Sequence, residues 1–264
     1  MTRRLAVQRV LGAIWIFDGL LQFRPVMMTR GFIAHDVLPL AQGEPGWLHA
    51  FIQWDAHLLL LHPVWSDVGV GAIQLVIGLL LLTRRFSGVG LLTSFVWALA
   101  VWVAGEGFGQ IFTGMSWLGN GAPGAALLYA LLSWGLHPSW SRERRVRYFR
   151  IVSACLWIFE GIVSLGPASH GLVHAFGLTI CLAIAGLTLF IRGFNWGSVF
   201  GMAVAGVSWV VGQHWGQVWE PYATDPNTGL LLALLSACVL VFAASSRTGL
   251  ALGDAEDKSR SQVG

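Results

Sequence analysis

Three acidic residues lie inside apolar segments of this chain, where an ionisable side chain is costly and is by default a functional hypothesis. Asp18 stands in the segment WIFDG at 15–19, and Glu160 stands in WIFEG at 157–161, which repeats that segment 142 positions later. Glu106 lies in another apolar segment. A carboxyl group shielded from water can exchange protons near neutrality. We therefore predict that these three acids carry the protein's chemistry.

Amide and tryptophan side chains accompany the acids at helical spacing. Gln22 follows Asp18 by four residues, so the two would share one helix face. Two further sets of three residues, spaced four apart, match each other in the two halves of the chain: Trp102, Glu106 and Gln110, and Trp209, Gln213 and Gln217. We predict that these amides position a substrate beside the acids and that the tryptophans form apolar walls. The alternative is a structural polar network that only holds helices together.

Three histidines of the second half offer a metal site: His170, His174 and His214. His170 and His174 are four residues apart, and His214 replaces the Gly107 of the first half. With Glu160, these imidazoles would suit zinc, copper or non-haem iron. Interfacial histidines are common, however, and the first half has no equivalents. A metal ion is therefore the less favoured cofactor.

These residues must be positioned by membrane helices. The chain has 264 residues, of which 55% are hydrophobic and 11% charged, a composition typical of integral membrane proteins. We expect an all-α protein with eight transmembrane helices, each of about 17–25 residues. The expected spans are 6–23, 64–83, 87–112, 123–139, 148–165, 171–191, 195–219 and 228–245.

The repeats arrange these spans as a tandem of two four-helix units. We expect the first unit at 1–138, with an outer loop at 24–63. A cytoplasmic linker would follow at 139–147, a second unit at 148–246 and a disordered cytoplasmic tail at 247–264. The outer loop contains an amphipathic stretch from Trp47 to Leu61, which predicts a helix lying over the mouth of the bundle as a lid. A plain interfacial helix is the alternative.

The basic residues alternate with the spans, so that fourteen of the sixteen would face one side of the membrane. This positive-inside bias predicts a multi-pass protein of the cytoplasmic membrane with both termini in the cytoplasm. Because each unit enters from the same side, the two units would be parallel copies, not inverted ones. The basic residues therefore give no reason to expect a nucleic-acid partner.

Two glycine-punctuated segments carry a family resemblance. The first span contains Arg9, Gly12, Gly19, Phe23 and Pro25, and the second contains the run QLVIGLLLLTR at 74–84. Both segments resemble DoxX-like membrane proteins, which are four-helix proteins with cytoplasmic termini. The resemblance implies association with membrane redox systems, including quinone-linked ones, in which such subunits accompany an oxidoreductase.

We therefore expect an accessory or quinone-interacting component of a membrane redox system, with an outward-facing polar site. Quinone is the favoured cofactor, and an oxidoreductase subunit and the lipid bilayer are the expected partners; a homo-oligomer is left open. Two alternatives remain: a transporter or channel for a small solute or metal ion, and a structural membrane scaffold. Apolar inner halves of the spans favour a one-sided site over a transport path.

Overall fold

The computed structural model of the chain describes residues 2–167, 169, 171–190 and 195–243. Within these residues the fold is all-helical, and no strand is present. The first half contains helices α1 (Arg3–Gln22), α2 (Arg30–Phe32), α3 (Gly46–Leu61), α4 (Pro63–Leu82), α5 (Ser87–Ala104) and α6 (Ala125–Gly135). The second half contains α7 (Arg142–Val163), α8 (Gly171–Phe190), α9 (Trp196–Val207) and α10 (Asn227–Ala243). The expected tail at 247–264 lies outside the described residues.

Four segments are long and apolar enough to cross a membrane: α1, α4, α5 and the part Val173–Phe190 of α8. Their outer faces are strongly apolar. On α5, for example, Val89, Leu92 and Val96 are 59%, 55% and 58% exposed at the spacing of one helix face. A continuous apolar face of this kind fits a lipid environment. The structure thus supports the membrane assignment for these helices.

Close helix packing depends on small residues, as is usual between membrane helices. Where α1 crosses α4, a Cβ atom added to Gly78 would lie 2.5 Å from Cγ1 of Ile16 and 2.7 Å from the carbonyl oxygen of Gly12. One continuous core joins the two halves of the chain and includes Trp15 and Trp157, both nearly inaccessible to solvent.

One end of the bundle is closed by arginine side chains. Arg4 donates hydrogen bonds to Gln8 (2.9 Å) and to the Ser87 hydroxyl (2.9 Å). Arg145 donates to the carbonyl oxygens of Gly135, the last residue of α6, and of His137 and Trp140, which follow it. Cations suit the negative end of a helix, so these contacts hold the end of α6 in place.

The connections after α5 and α9 have an unusual backbone. In the first, residues 107–110 all have positive φ angles, between 51° and 65°. In the second, residues 214–217 do the same, with φ between 47° and 71°. Left-handed turns need glycine at crowded positions, because a Cβ on Gly109 or Gly216 would overlap the carbonyl group of Pro123 or Pro226. The regular helix is therefore interrupted in both connections.

Helix α6 is the shortest of the long helices in the first half. With 11 residues, it is roughly 16 Å long, about half the hydrocarbon thickness of a bilayer. Since its carboxyl end is held at the arginine-rich side, its amino end lies deep between the neighbouring helices. Irregular backbone at such depth is tolerated where it is enclosed by protein or lines a cavity.

We predict that Gly78→Ala lowers the stability of the protein by about 1–3 kcal/mol, because the added methyl group overfills the α1–α4 contact. Gly69→Ala is the matched control on the same helix, since no atom lies within 4 Å of a Cβ added there. The apparent melting temperature of the purified protein in detergent measures the difference. Equal melting temperatures for the two variants would contradict the packing described.

Candidate functional site

A cavity of about 350 Å³ lies between α1, α4, α5 and α6, at the end of the bundle opposite to Arg4. We call it the chamber. Its volume is within the range of small-molecule sites, roughly 300–1,000 Å³. Its wall is mostly apolar and aromatic, with a few polar side chains directed into it. Six of its lining residues are used below: Trp15, Asp18, Asp67, Gln74, Trp97 and Tyr129.

Asp18 is only 1% exposed, and just one of its two carboxyl oxygens has a partner. The Tyr129 hydroxyl donates a short hydrogen bond to Oδ2, whereas Oδ1 has none. The Tyr129 ring packs on Trp15 with 4.3 Å between ring centroids, and the Trp15 indole N–H donates to Ser94 (2.8 Å). The position of Asp18 is therefore fixed from one side, while its free oxygen lines the chamber.

Three more buried polar atoms that line the chamber have no hydrogen-bond partner: Oδ2 of Asp67, Oε1 of Gln74 and Nε1 of Trp97. Asp67 and Gln74 are seven residues apart on α4, so they lie on one face, and each is 5% exposed. An unsatisfied buried polar atom costs about 1–3 kcal/mol. Such atoms also occur elsewhere in the described residues, as in Glu160, so it is their position around one cavity that points to a ligand or ordered water as the missing partner.

A second, more open cavity of about 520 Å³ adjoins the chamber, and we call it the vestibule. Glu106 and Asp225 line both cavities and so stand at their junction. Both oxygens of Glu106 accept hydrogen bonds from the Ala126 backbone N–H, at 3.0 and 3.2 Å. Asp225 accepts from the Asn227 backbone N–H (2.6 Å) and from the Thr224 hydroxyl (2.9 Å).

Glu106 lies in the connection that follows α5, outside the spanning helices. Burial, reinforced by the negative charge of Asp225, raises the pKa of Glu106 to about 8. The backbone N–H groups at the start of α6 oppose this effect, because they stabilise the carboxylate. Burial likewise raises the pKa of Asp225. Glu106 therefore changes its charge near physiological pH.

The outer loop covers the chamber with two segments. Met27, Ile33 and Val37 line it and are almost completely buried. The helix expected from Trp47 to Leu61 forms as α3, and it contributes Asp55 and Leu59 to the chamber wall. The cover of the chamber thus includes more of the outer loop than α3, because the segment before α3 makes the closer contact.

The expected continuous helix face through Trp102, Glu106 and Gln110 is wrong. Helix α5 ends at Ala104, and Gln110 lies in the first left-handed turn with φ 55°. The expected helix face through Trp209, Gln213 and Gln217 is wrong for the same reason. Helix α9 is followed by a π-helical turn at Ser208–Gly212, and Gln217 has a φ angle of 53°. Helical spacing could not reveal these breaks.

The structure does not bring the predicted site residues together in one place. Asp18 and Gln22 line the chamber, while Gln110 and Gln217 line the vestibule. Trp102 and Trp209 donate their indole N–H groups to the carbonyl oxygens of Pro123 (2.8 Å) and Pro226 (2.7 Å). These two tryptophans therefore fix the connections ahead of α6 and α10 and are not among the residues that line the chamber.

Gln213 and Glu160 lie in the second half, away from both cavities. Gln213 accepts a hydrogen bond from the Gly229 backbone N–H (2.9 Å) and donates one to the Leu118 carbonyl oxygen (2.5 Å). Glu160 is 2% exposed, and the Leu118 backbone approaches it. The loop of the first half that carries Leu118 thus covers Glu160.

The histidine cluster is not assembled by the described residues. His170 lies outside them, His174 is exposed with its ring 3.2 Å from the Ser169 hydroxyl, and His214 is exposed in the second left-handed turn. In the described part of the chain, no three histidine, cysteine, aspartate or glutamate side chains are grouped as metal ligands. The metal site stays a prediction.

Sequence reasoning missed Asp67, Gln74, Trp97 and Asp225. The spacing of Asp67 and Gln74 on one helix face was an available signal. Comparison with known proteins adds no further signal, because no protein family model, curated protein or solved structure matches this chain.

We predict that Glu106→Gln changes how stability depends on pH. In the folded protein Glu106 keeps its proton up to about pH 8, whereas in the unfolded chain it ionises from about pH 4.5. Folded wild-type protein therefore loses stability as pH rises between these values, by at most about 1.4 kcal/mol per pH unit. Glutamine preserves the cap on α6 but does not titrate.

Melting temperatures in detergent from pH 5 to 9 test this. The difference between wild type and Glu106→Gln should change with pH up to about 8 and then level off. Glu220→Gln, at an exposed position in the vestibule, is the control. Parallel profiles for wild type and Glu106→Gln would contradict the assignment.

Proposed function

We propose that the chain is a multi-pass protein of the cytoplasmic membrane with eight spans, built as two parallel four-helix units in tandem. Matching contacts in the two halves support this. The indole of Trp102 bonds to Pro123 as that of Trp209 bonds to Pro226. Glu106 accepts from the first turn of α6 as Gln213 accepts from the first turn of α10.

The orientation follows from the charges. Arg4 and Arg145 lie at the end of the bundle that the positive-inside rule assigns to the cytoplasm. The chamber and the vestibule lie at the other end, so the site faces outward in this proposal. Both termini are then cytoplasmic.

For the function, we propose an accessory component of a membrane redox system that binds the ring of a quinol. One observation carries this: four buried polar atoms without partners surround an apolar cavity of about 350 Å³, which has room for a ring. Three of the four are oxygen atoms, and a quinol offers two O–H donors and a flat apolar ring. The resemblance of the glycine-punctuated segments to DoxX-like proteins agrees with this class of ligand.

In this proposal the chain binds the quinol and accepts the two protons that its oxidation releases, and a partner oxidoreductase takes the two electrons. Oδ1 of Asp18 accepts the first ligand hydroxyl, and Tyr129 stabilises the carboxylate through Oδ2. Trp97 can donate its indole N–H to a ligand oxygen. Glu106, at the junction with the vestibule, can exchange a proton with the outer aqueous phase.

A one-sided site is favoured over a transport path by the packing beneath the chamber. Leu11, Leu81 and Leu132 are fully buried there, and the hydrogen bonds of Arg4, Gln8 and Ser87 close the inner end. Polar side chains that could lead a solute from Asp18 to the cytoplasm would have to cross this apolar layer.

We predict that Asp18→Asn weakens quinol binding by about 10-fold or more, because it removes a charge-assisted hydrogen bond. Calorimetric titration of a short-chain benzoquinol into the protein in lipid nanodiscs measures the affinity. Glu160→Gln is the matched control, since it changes the equivalent acid of the second half outside the chamber. Its affinity should equal that of wild type.

Absence of quinol binding by wild type, or equal binding by Asp18→Asn, would contradict the proposal. A melting curve of each variant shows whether the fold is retained. Uptake of the probe into proteoliposomes would support the transport alternative instead.

A further inference from the structure

All charged side chains that line the chamber and the vestibule are acidic. Asp18, Asp55 and Asp67 line the chamber alone. Asp36 and Glu220 line the vestibule alone, and Glu106 and Asp225 line both cavities. Among the described residues that line either cavity, no lysine, arginine or histidine is present.

Asp36 has the imidazole of His35 beside it, but the guanidinium groups of Arg24, Arg4 and Arg145 are engaged away from these acids. Arg24, which follows α1, directs its guanidinium to the carbonyl oxygens of Val218 (2.6 Å) and Glu220 (2.8 Å). Arg4 and Arg145 lie at the opposite end of the bundle. A carboxylate removed from water without a cationic partner is strongly disfavoured. An acid in this setting takes up a proton unless a bound group stabilises its ionised form, so a cationic ligand would be favoured in the chamber.

Two of these acids also have free oxygens directed into the cavity. Oδ1 of Asp18 and Oδ2 of Asp67 are buried and have no hydrogen-bond partner. Both oxygens are acceptors when ionised, so they fit a ligand that brings N–H donors together with positive charge.

The aromatic wall complements the same kind of ligand. Trp15, Trp97, Tyr129 and Phe32 all line the chamber. Aromatic faces attract organic cations, and tryptophan does so most strongly, with a larger effect where water is excluded. The apolar part of a ligand would pack on these rings while its charged group meets the carboxylates.

We propose that the chamber binds small lipophilic ammonium ions, with the ammonium group on Asp18 and Asp67 and the apolar part against the aromatic wall. This ligand class goes beyond the proposed quinol function and does not require it. A quinol needs only hydrogen-bond acceptors, whereas an ammonium ion also needs uncompensated negative charge. The two ligands can therefore be tested separately at one site.

The test compares 2-phenylethylammonium with 2-phenylethanol, which has a similar size and one O–H donor but no charge. Each is titrated calorimetrically into the full-length protein in lipid nanodiscs, with protein-free nanodiscs as the blank for partitioning into lipid. We expect the cation to bind about 10-fold or more tightly than the alcohol.

Two variants and one control test whether the preference for the cation over the alcohol arises in the chamber. Asp18→Asn and Asp67→Asn should each remove most of the advantage of the cation, and their melting curves report folding. If one of the two aspartate variants does not fold, the other still tests the proposal. Glu160→Gln, outside the chamber, should retain the wild-type preference.

Equal affinity for the cation and the alcohol would overturn this proposal, as would an unchanged preference in both aspartate variants. The benzoquinol titration in the same nanodiscs decides the quinol function independently. A protein that binds the cation but no quinol would uphold the ammonium site and refute the quinol function. The reverse result would refute the ammonium site alone.

Discussion

Capping of two buried helix starts is the interaction on which the rest of the structure depends. A helix that begins inside a membrane protein exposes backbone N–H groups that no water can satisfy. Glu106 supplies acceptors at the start of α6, and Gln213 supplies one at the start of α10. The left-handed turns after Glu106 and Gln213 bring the chain back towards the helix starts. Because α6 begins at this depth, space is left over it for the chamber and the vestibule.

The two halves share this construction but differ in what covers their buried acids. The loop after the second left-handed turn brings Asp225 to the junction of the two cavities, over the Asp18 side. The loop after the first brings Leu118 over Glu160, and its carbonyl oxygen is held by Gln213. Asp18 therefore faces a cavity, whereas its counterpart Glu160 is covered by the loop that carries Leu118. The difference between these two loops therefore distinguishes a residue that can line a binding site from one that is enclosed by protein.

The sequence predicted what depends on composition and regular spacing. The apolar character of α1, α4 and α5, the existence of helix α3 and the shared face of Asp18 and Gln22 follow from such patterns. It did not predict the breaks after α5 and α9, because positive φ angles at Phe108 and Trp215 leave no periodic signal. Asp67 and Trp97 were overlooked because their role depends on tertiary contacts. In the fold, one polar atom of each faces the chamber and has no hydrogen-bond partner.

The cover of the chamber also presents two exposed tryptophan side chains. On α3, Trp47 and Trp54 are about 60% exposed, and the Trp47 ring packs edge-on against Phe108 in the first left-handed turn. Tryptophan rings prefer the headgroup layer of a bilayer. Acyl-chain length sets the height of that layer, so a thicker or thinner bilayer would pull α3 up or down against the turn. If α3 lies in that layer, lipid composition acts on the entrance to the cavity through the contact between Trp47 and Phe108.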